Sequence, residues 1–410
     1  MKKICLFTVT AMTLSSLAFG GSFQINLQGM RQTAMGGSGV AWPWDASTIF
    51  YNPGGLSRLE GVQAYGNVFA VTPNISFVPD GTGNGIAKTI KNTSTPFAAY
   101  VGGRIKKGSN LALGVGIYTP FGSSIDWGND FTGRFVSKSI SLQSIFVQPT
   151  ASYRISELIS VGAGFIYGFG SVDIEKGIPV QDANGKEGAA SLSGKANGIG
   201  FNLGVQIKAS EHIQLGISYR SAVKMKIKNG DANFNVAPSV ATNFPQTNFS
   251  TELPLPAIFT VGAGFKINEK LTLQGDVVIA GWESYDSLKF DFESNTPSLQ
   301  DTHDPRLYKN TFAVRVGGHY KFNKYFSLMA GAAYDPTPTR KNYLSPDAVD
   351  ADRFSFSGGV VVNPIEKLSV MAVFNYTTTA GRAVSYDPAN LVGTYQIKSF
   401  APGLGISYTF

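Results

Sequence analysis

Along most of its length this chain alternates, apolar at i, i+2 and i+4 and small or polar between, which is the spacing of side chains on opposite faces of a β-strand. The last run is the clearest. Phe400, Pro402, Leu404, Ile406, Tyr408 and Phe410 share one face, and Ala401, Gly403, Gly405, Ser407 and Thr409 the other. A water-soluble sandwich also alternates, but its outer face usually carries charges. Here the second face is glycine, serine and threonine, which suits the interior of a barrel that must leave room for something.

Similar runs recur at Leu111/Leu113/Val115/Ile117, Ile159/Val161/Ala163/Phe165/Tyr167, Ile213/Leu215/Ile217/Tyr219, Leu271/Leu273/Gly275/Val277/Ile279, Phe326/Leu328/Ala330/Ala332/Tyr334 and Leu368/Val370/Ala372/Phe374/Tyr376. Several end in an aromatic residue, as an interfacial girdle requires. Counting every alternating run from Val62 to Phe410 predicts an all-β fold, an antiparallel transmembrane barrel of about 14 strands, the even number of a single-chain bacterial barrel. Connections alternate in length. Short ones fall at Lys106-Lys107-Gly108, Ser156-Glu157, Ala209-Ser210-Glu211, Asn268-Glu269-Lys270, Asn323-Lys324 and Pro364-Ile365-Glu366. Long ones are expected near 74–95, 119–139, 174–197, 227–254, 285–306, 336–352 and 380–392. Short periplasmic turns and long outer loops have this asymmetry, and it puts both ends of the strand series on the periplasmic side. The terminal Phe410 on an alternating strand is what a barrel assembly machinery reads.

The first residues fit export. Met1-Lys2-Lys3 precedes an apolar stretch from Ile4 to Leu17, and Ala18-Phe19-Gly20 is a small-x-small end suited to signal peptidase, so 1–20 is read as a signal peptide. The stretch is too short and too rich in Thr and Ser for a membrane anchor. The one cysteine, Cys5, lies inside it, which excludes a disulfide, a Cys-ligated metal or a thiol nucleophile from the mature chain. Losing Lys2 and Lys3 takes the formal charge from +7 to about +5, favourable toward anionic headgroups such as lipopolysaccharide and outer-membrane lipid. The basic residues are scattered rather than striped, which argues against nucleic acid. Only three histidines exist, His212, His303 and His319, without a nucleophile motif nearby. Neither catalysis nor a metal or other cofactor is expected.

Between Gly21 and Gly61 the alternation stops in favour of an irregular Gly/Ala/Ser-rich stretch. A barrel of this size needs water or a plug in its lumen, and 21–61 has the length of a plug, with 62–410 as the barrel.

An ordered set of motifs is spread over the mature chain. It begins with Gly21-Ser22-Phe23-Gln24-Ile25-Asn26, Met35-Gly36-Gly37-Ser38-Gly39-Val40-Ala41, Asp45-Ala46-Ser47 and Tyr51-Asn52-Pro53. It continues through Thr119-Pro120-Phe121-Gly122, Gly133-Arg134-Phe135, Leu253-Pro254-Leu255-Pro256-Ala257, Gly281-Trp282, Tyr308-Lys309-Asn310-Thr311-Phe312 and Asp352-Arg353-Phe354 to the closing Gly403–Phe410. By this set the chain resembles the FadL family of outer-membrane transporters for long-chain fatty acids and aromatic hydrocarbons. Gly54 stands where the family's Asn-Pro-Ala hatch motif has alanine, which is expected to loosen the hatch tip. The resemblance implies a monomeric 14-stranded barrel plugged by an N-terminal hatch. It further implies capture of a hydrophobic small molecule by outer loops, a lumenal site beside the hatch, and passive lateral exit through an opening made by a kinked third strand. Gly114 and Gly116 permit that kink without demanding it.

Lys309 resembles the family lysine that meets a substrate carboxylate, and alternation turns Lys309, Arg315 and His319 into the lumen; a structural ion pair is the competing role. Phe23 is a substrate contact by resemblance, or simple packing. Asn52, Pro53 and Gly54 are read as a gate, or an ordinary turn. Phe234, Phe244 and Phe249 in the 227–254 loop are expected to form an exposed capture groove, or else to anchor in lipopolysaccharide or pack on neighbouring loops. Two rival functions stand beside a hydrophobic-substrate channel in the outer membrane of a Gram-negative bacterium: a surface adhesin or phage receptor, and a polar porin, which would lack the plug.

Overall fold

The computed structural model describes residues 22–81 and 85–410; the predicted signal peptide, Cys5 and Gly21 lie outside them. Fourteen strands form one closed antiparallel wall. In chain order these are β1 (Val62–Phe69), β2 (Phe97–Arg104), β3 (Leu111–Tyr118), β4 (Ser139–Arg154), β5 (Ile159–Gln181), β6 (Glu187–Lys208) and β7 (Ile213–Arg220). The second half comprises β8 (Ile258–Lys266), β9 (Leu271–Ala280), β10 (Thr311–Lys321), β11 (Phe326–Asp335), β12 (Arg353–Ile365), β13 (Leu368–Thr379) and β14 (Leu391–Thr409). Each strand pairs with its neighbours in sequence, and β14 returns to β1 with Gln63 opposite Thr409 and Phe69 opposite Gly403, which closes the wall. A closed ladder is the β-structure that satisfies its own backbone inside lipid.

The outward face explains where the bilayer lies. Leu113, Val115, Ile117, Leu215, Ile217, Val261, Leu273, Val314, Val316 and Leu404 are all exposed. Exposed aromatics flank this aliphatic belt: Tyr153, Phe265, Tyr320, Phe322 and Tyr325 near the short turns, and Tyr167, Phe169, Tyr219, Phe312, Phe354 and Phe400 toward the long connections. In water such a band would drive aggregation; against acyl chains it is solvated, with the rings at both interfaces.

The inward face is polar because it completes an irregular backbone. Residues 22–61 carry one short helix, Met30–Ala34, a single turn at Thr48–Tyr51 and a 3-10 turn at Pro53–Arg58. Their remaining carbonyl and amide groups are met by inward side chains of the wall. Gln148 donates to the Ile49 carbonyl (2.7 Å), Asn202 to Phe50 (3.0 Å) and Gln274 to Ser38 (2.7 Å), while Asp276 accepts from the amides of Gly39 (2.7 Å) and Val40 (3.1 Å). Arg31 and Asp45 pair at 2.8 Å within the segment. Buried backbone groups need such partners, so the wall's Gln, Asn and Asp positions follow from what they hold.

Asn52, Pro53 and Gly54 are fully buried against β4, β5 and β6. The expected looseness at Gly54 is not found: its amide bonds the Asn52 side chain (3.1 Å), and its carbonyl accepts from Ser152 (3.2 Å) and Ser160 (2.8 Å). The glycines here serve close approach. A Cβ on Gly162 would stand 2.3 Å from the Pro53 carbonyl carbon, and one on Gly54 would stand 2.9 Å from the Gly204 carbonyl oxygen.

Two expected loops are strands instead. β5 and β6 extend far beyond the girdle and turn only at 182–186, and most of 227–254 lies in a hairpin of Val223–Asn235 and Thr247–Leu255 laid beside them. Their inward residues stay apolar (Val172, Ile174, Leu192, Met225, Ile227), whereas their outward residues face water and have become Lys, Asp and Asn.

Candidate functional site

Beneath this raised side of the barrel lies a cavity of about 720 Å³, within the range of small-molecule sites. The N-terminal residues Phe23, Ile25 and Leu27 line one side, facing Leu142 of β4, Val172 and Ile174 of β5, and Met225, Ile227 and Leu255 of the hairpin. Phe23 stands at the centre of an aromatic cluster, edge-on to Trp282 (5.0 Å between ring centres), Tyr285 (6.0 Å) and Phe121 (6.2 Å). Tyr285 in turn meets Tyr308 at 4.9 Å, and burial pushes the Tyr285 hydroxyl up to about 12, so it remains a neutral donor.

The opposite end of the cavity is charged, and its charges are matched in pairs. Arg315 lies 3.2 Å from Asp335, Arg353 2.6 Å from Asp350, and Asp347 makes a two-pronged pair with Arg306 at 2.8 and 2.7 Å. Burial alone would raise the Asp347 carboxyl, but the Arg306 guanidinium overrides it and holds it below the usual carboxylate range. Arg353 also donates to the Ser22 carbonyl, and the Ser22 amide donates to Asp350 (3.1 Å), which ties the N-terminal segment to this end.

The third strand is interrupted beside the cavity. Tyr118 of β3 pairs with Phe146, and Gly122, in the following strand Gly122–Asp126, pairs with Gln143. Four steps on one strand thus oppose three on the other, a bulge at Thr119-Pro120-Phe121. The extra residue turns backbone groups inward: Pro120 accepts from the Ile25 amide (2.8 Å) and Gly122 donates to the Phe23 carbonyl (3.0 Å). Across from it, Phe97 still bonds Thr119 at the start of the bulge (3.2 Å), whereas Ser94 and Pro96 bond to Val71 and Phe69 on their other side. Thr93–Phe97, Thr119 and Phe121–Ser124 all line the cavity where the pairing of β2 with the interrupted third strand ends, beyond Phe97 and Thr119.

Of the residues singled out from sequence, Phe23 and Arg315 line this cavity. Lys309 does not. It precedes β10, its amide donating to Pro338 (3.0 Å), and its side chain lies in a separate outer cleft with Arg340, Lys341, Asp352 and Arg382, because alternation holds only where the strand does. Burial, reinforced by Arg382, lowers the Lys309 ammonium despite Asp352. His319 packs against Trp44 (4.8 Å) toward the short-turn end. The three loop phenylalanines are not an exposed groove. Phe234 meets Phe244 at 6.0 Å, and Phe249, 1% exposed, is packed against Phe290 (5.3 Å) and Phe292 (6.4 Å); they fill the inner side of the hairpin and back the cavity wall at Phe290. Sequence reasoning missed Phe121, Tyr285, Phe290 and the Asp335, Asp347 and Arg353 carboxylates and guanidinium. Only Phe121 and Arg353 lay inside motifs that could have signalled them. Among the described residues no cluster could hold a metal ion.

A closed transmembrane barrel with a largely apolar cavity inside it defines an outer-membrane channel. The chain belongs to the outer membrane protein transport protein family (OMPP1/FadL/TodX), whose model matches residues 11–410. The family is one of transporters, not enzymes. An outer membrane protein of Neisseria meningitidis is 26% identical, with 100% of this chain and 98% of that one covered. A long-chain fatty acid transport protein of Escherichia coli is 22% identical over 100% of both. Among solved structures, a Pseudomonas aeruginosa FadL homologue superposes with a TM-score of 0.80 at 21% identity, covering 95% of this chain and 100% of that one. The P. putida toluene transporter TodX gives 0.73 at 16%, covering 93% and 98%. At these identities the likeness of the solved structures is one of fold.

Proposed function

We propose that the channel takes up small hydrophobic molecules by diffusion, holds them in the cavity beside Phe23, and releases them sideways through a gap between β2 and the broken third strand. The observation that carries this reading is the continuity of the apolar lining from Leu255 and Ile227 through Phe23 and Phe121 to Pro96 and Phe97, where the pairing of those strands ends. A greasy solute leaving there enters acyl chains without crossing water, and flow down a gradient needs no energy source. Residues 21–61 act as the plug, which a polar porin would not need. Asn52, Pro53 and Gly54 anchor that plug to β4–β6, and the part beside the gap is Phe23–Ile25.

The matched pairs Arg315–Asp335, Arg353–Asp350 and Arg306–Asp347 favour an uncharged substrate over a carboxylate. Bringing in an anion would set it against carboxylates already bonded to those guanidiniums. Relatives are named for both kinds of cargo, fatty acids and toluene. The test is uptake of radiolabelled toluene and oleate by cells lacking their own transporter, carrying wild-type protein or Phe23→Ala at equal surface level. Toluene should enter several-fold faster than in empty cells, and Phe23→Ala should lose most of that gain. Oleate as the only compound accelerated would overturn the preference for uncharged cargo; neither compound accelerated would overturn the transport reading.

A further inference from the structure

The raised hairpin carries a second surface that the cavity does not use. Going outward along β6, the exposed residues are Phe201, Ile199, Asn197 and Lys195. On the adjacent strand Val223–Asn235, Lys224, Lys226 and Lys228 point out while Met225 and Ile227 point into the cavity. The register places these side chains against the girdle. Asn197 stands opposite Phe169 on β5 and opposite Lys226 on the hairpin, and Ile199 stands opposite Tyr167. The lysines thus begin on the rungs where the exposed aromatics end, the depth at which lipid acyl chains give way to headgroups.

Charge on this patch is not balanced. Glu252 is 3.2 Å from both Lys224 and Lys226, yet those two side chains remain 66% and 54% exposed. Lys195 and Lys228 are also exposed. Asp173 and Asp231 stand one rung farther out, both level with Ser193. Four ammonium groups stand against Glu252, with Asp173 and Asp231 one rung beyond, and leave this level net positive directly above Ile199 and Phe201, which are 65% and 45% exposed. We propose that this patch binds the phosphorylated headgroup of an acylated glycolipid of the outer leaflet, with its chains along Ile199, Phe201 and Tyr167 and its phosphates on Lys195, Lys224, Lys226 and Lys228. Lysine suits the role, being a compact, strongly hydrated point charge on a stem long enough to lie along apolar surface. A free phosphate would use the ammoniums and leave the apolar half of the surface without a role.

The test uses the full-length barrel in lipid nanodiscs, with native mass spectrometry counting retained lipid. The probes are diphosphorylated lipid A, its dephosphorylated form, and inorganic phosphate as a competitor. Wild type should retain the diphosphorylated lipid about tenfold better than the dephosphorylated one. A variant carrying K195Q, K224Q, K226Q and K228Q should fall to the dephosphorylated level, the matching Lys→Arg variant should not, and K106Q/K107Q at the opposite end should behave as wild type. Should the fourfold variant fail to fold by gel mobility, K195Q/K228Q, which leaves the Glu252 pairs intact, should still lose a measurable part of the preference. Equal retention by wild type and the folded glutamine variants, or displacement by inorganic phosphate alone, would overturn the proposal. Toluene uptake should be unchanged in these variants, so failure here and failure of the transport reading are separable.

Discussion

Arg315 and Asp335 meet at 3.2 Å with their side chains 8% and 12% exposed, so each is the other's main compensation for leaving water. Removing one partner of a buried pair strands a charge, whereas removing both does not. Asp335→Asn should therefore destabilise the barrel by about 3–5 kcal/mol, and Arg315→Gln/Asp335→Asn by much less. Urea unfolding in micelles, followed by gel mobility, checks this; equal losses in the single and double variants would refute it. Glu187 on the outer surface answers to pH. Burial alone would raise its carboxyl, but Arg134 (2.7 Å) and Lys138 (3.5 Å) together override it and hold it below its ordinary value of 4.5. A depressed acid stabilises the folded form above its unfolded pKa, and that contribution is lost as pH falls through the folded one. Hydrogen exchange over 131–138 should accelerate on acidification from about pH 5 downward, and Glu187→Gln should abolish the dependence.

At the scale of elements, period-two alternation identified wall strands wherever the outward partner is lipid, and it located the short turns, since both follow from local residue choice. It failed above the girdle. There β5, β6 and the 223–255 hairpin keep their period, but the outward set becomes Lys195, Lys224 and Asp173, so strand reads as loop. It also failed for Lys309, whose place depends on loop 336–352 folding over it, and for the phenylalanine trio, whose partners Phe290 and Phe292 lie far along the chain. The break in the third strand was open from sequence because Gly114 and Gly116 only permit one. The structure puts it a few residues on, at the extra residue around Pro120, where proline lacks the amide a ladder would use. Deleting Pro120 would make the two strands equal in step and let the broken strand continue across the gap. Toluene uptake should fall to near that of empty cells while gel mobility still reports a folded barrel. Undiminished uptake in that variant would remove the gap as the exit.

For the molecule as a whole, the wall and the segment within it are two structures of different kinds. The wall closes on itself through the β1–β14 ladder and, apart from the bulge, where Pro120 and Gly122 bond to Ile25 and Phe23, takes its ladder bonds from its own strands. The segment is irregular and depends on the wall, through Gln148, Asn202, Gln274 and Asp276, for partners it cannot supply internally. A chain lacking residues 22–59 should therefore still insert and show the heat-dependent gel shift of a folded barrel. It would leave those inward polar side chains facing water, at little cost, because water supplies the bonds the segment did. The lumen of a 14-stranded wall would then be wet. In planar bilayers the full chain should pass little ionic current, since its interior is occupied and the cavity beside Phe23 ends in matched ion pairs; the shortened chain should conduct as an open pore. A shortened chain that folds yet stays silent would mean that the outer hairpins and loop 336–352 seal the barrel unaided. In that case residues 22–59 contribute a surface for the cargo and the closure lies above them.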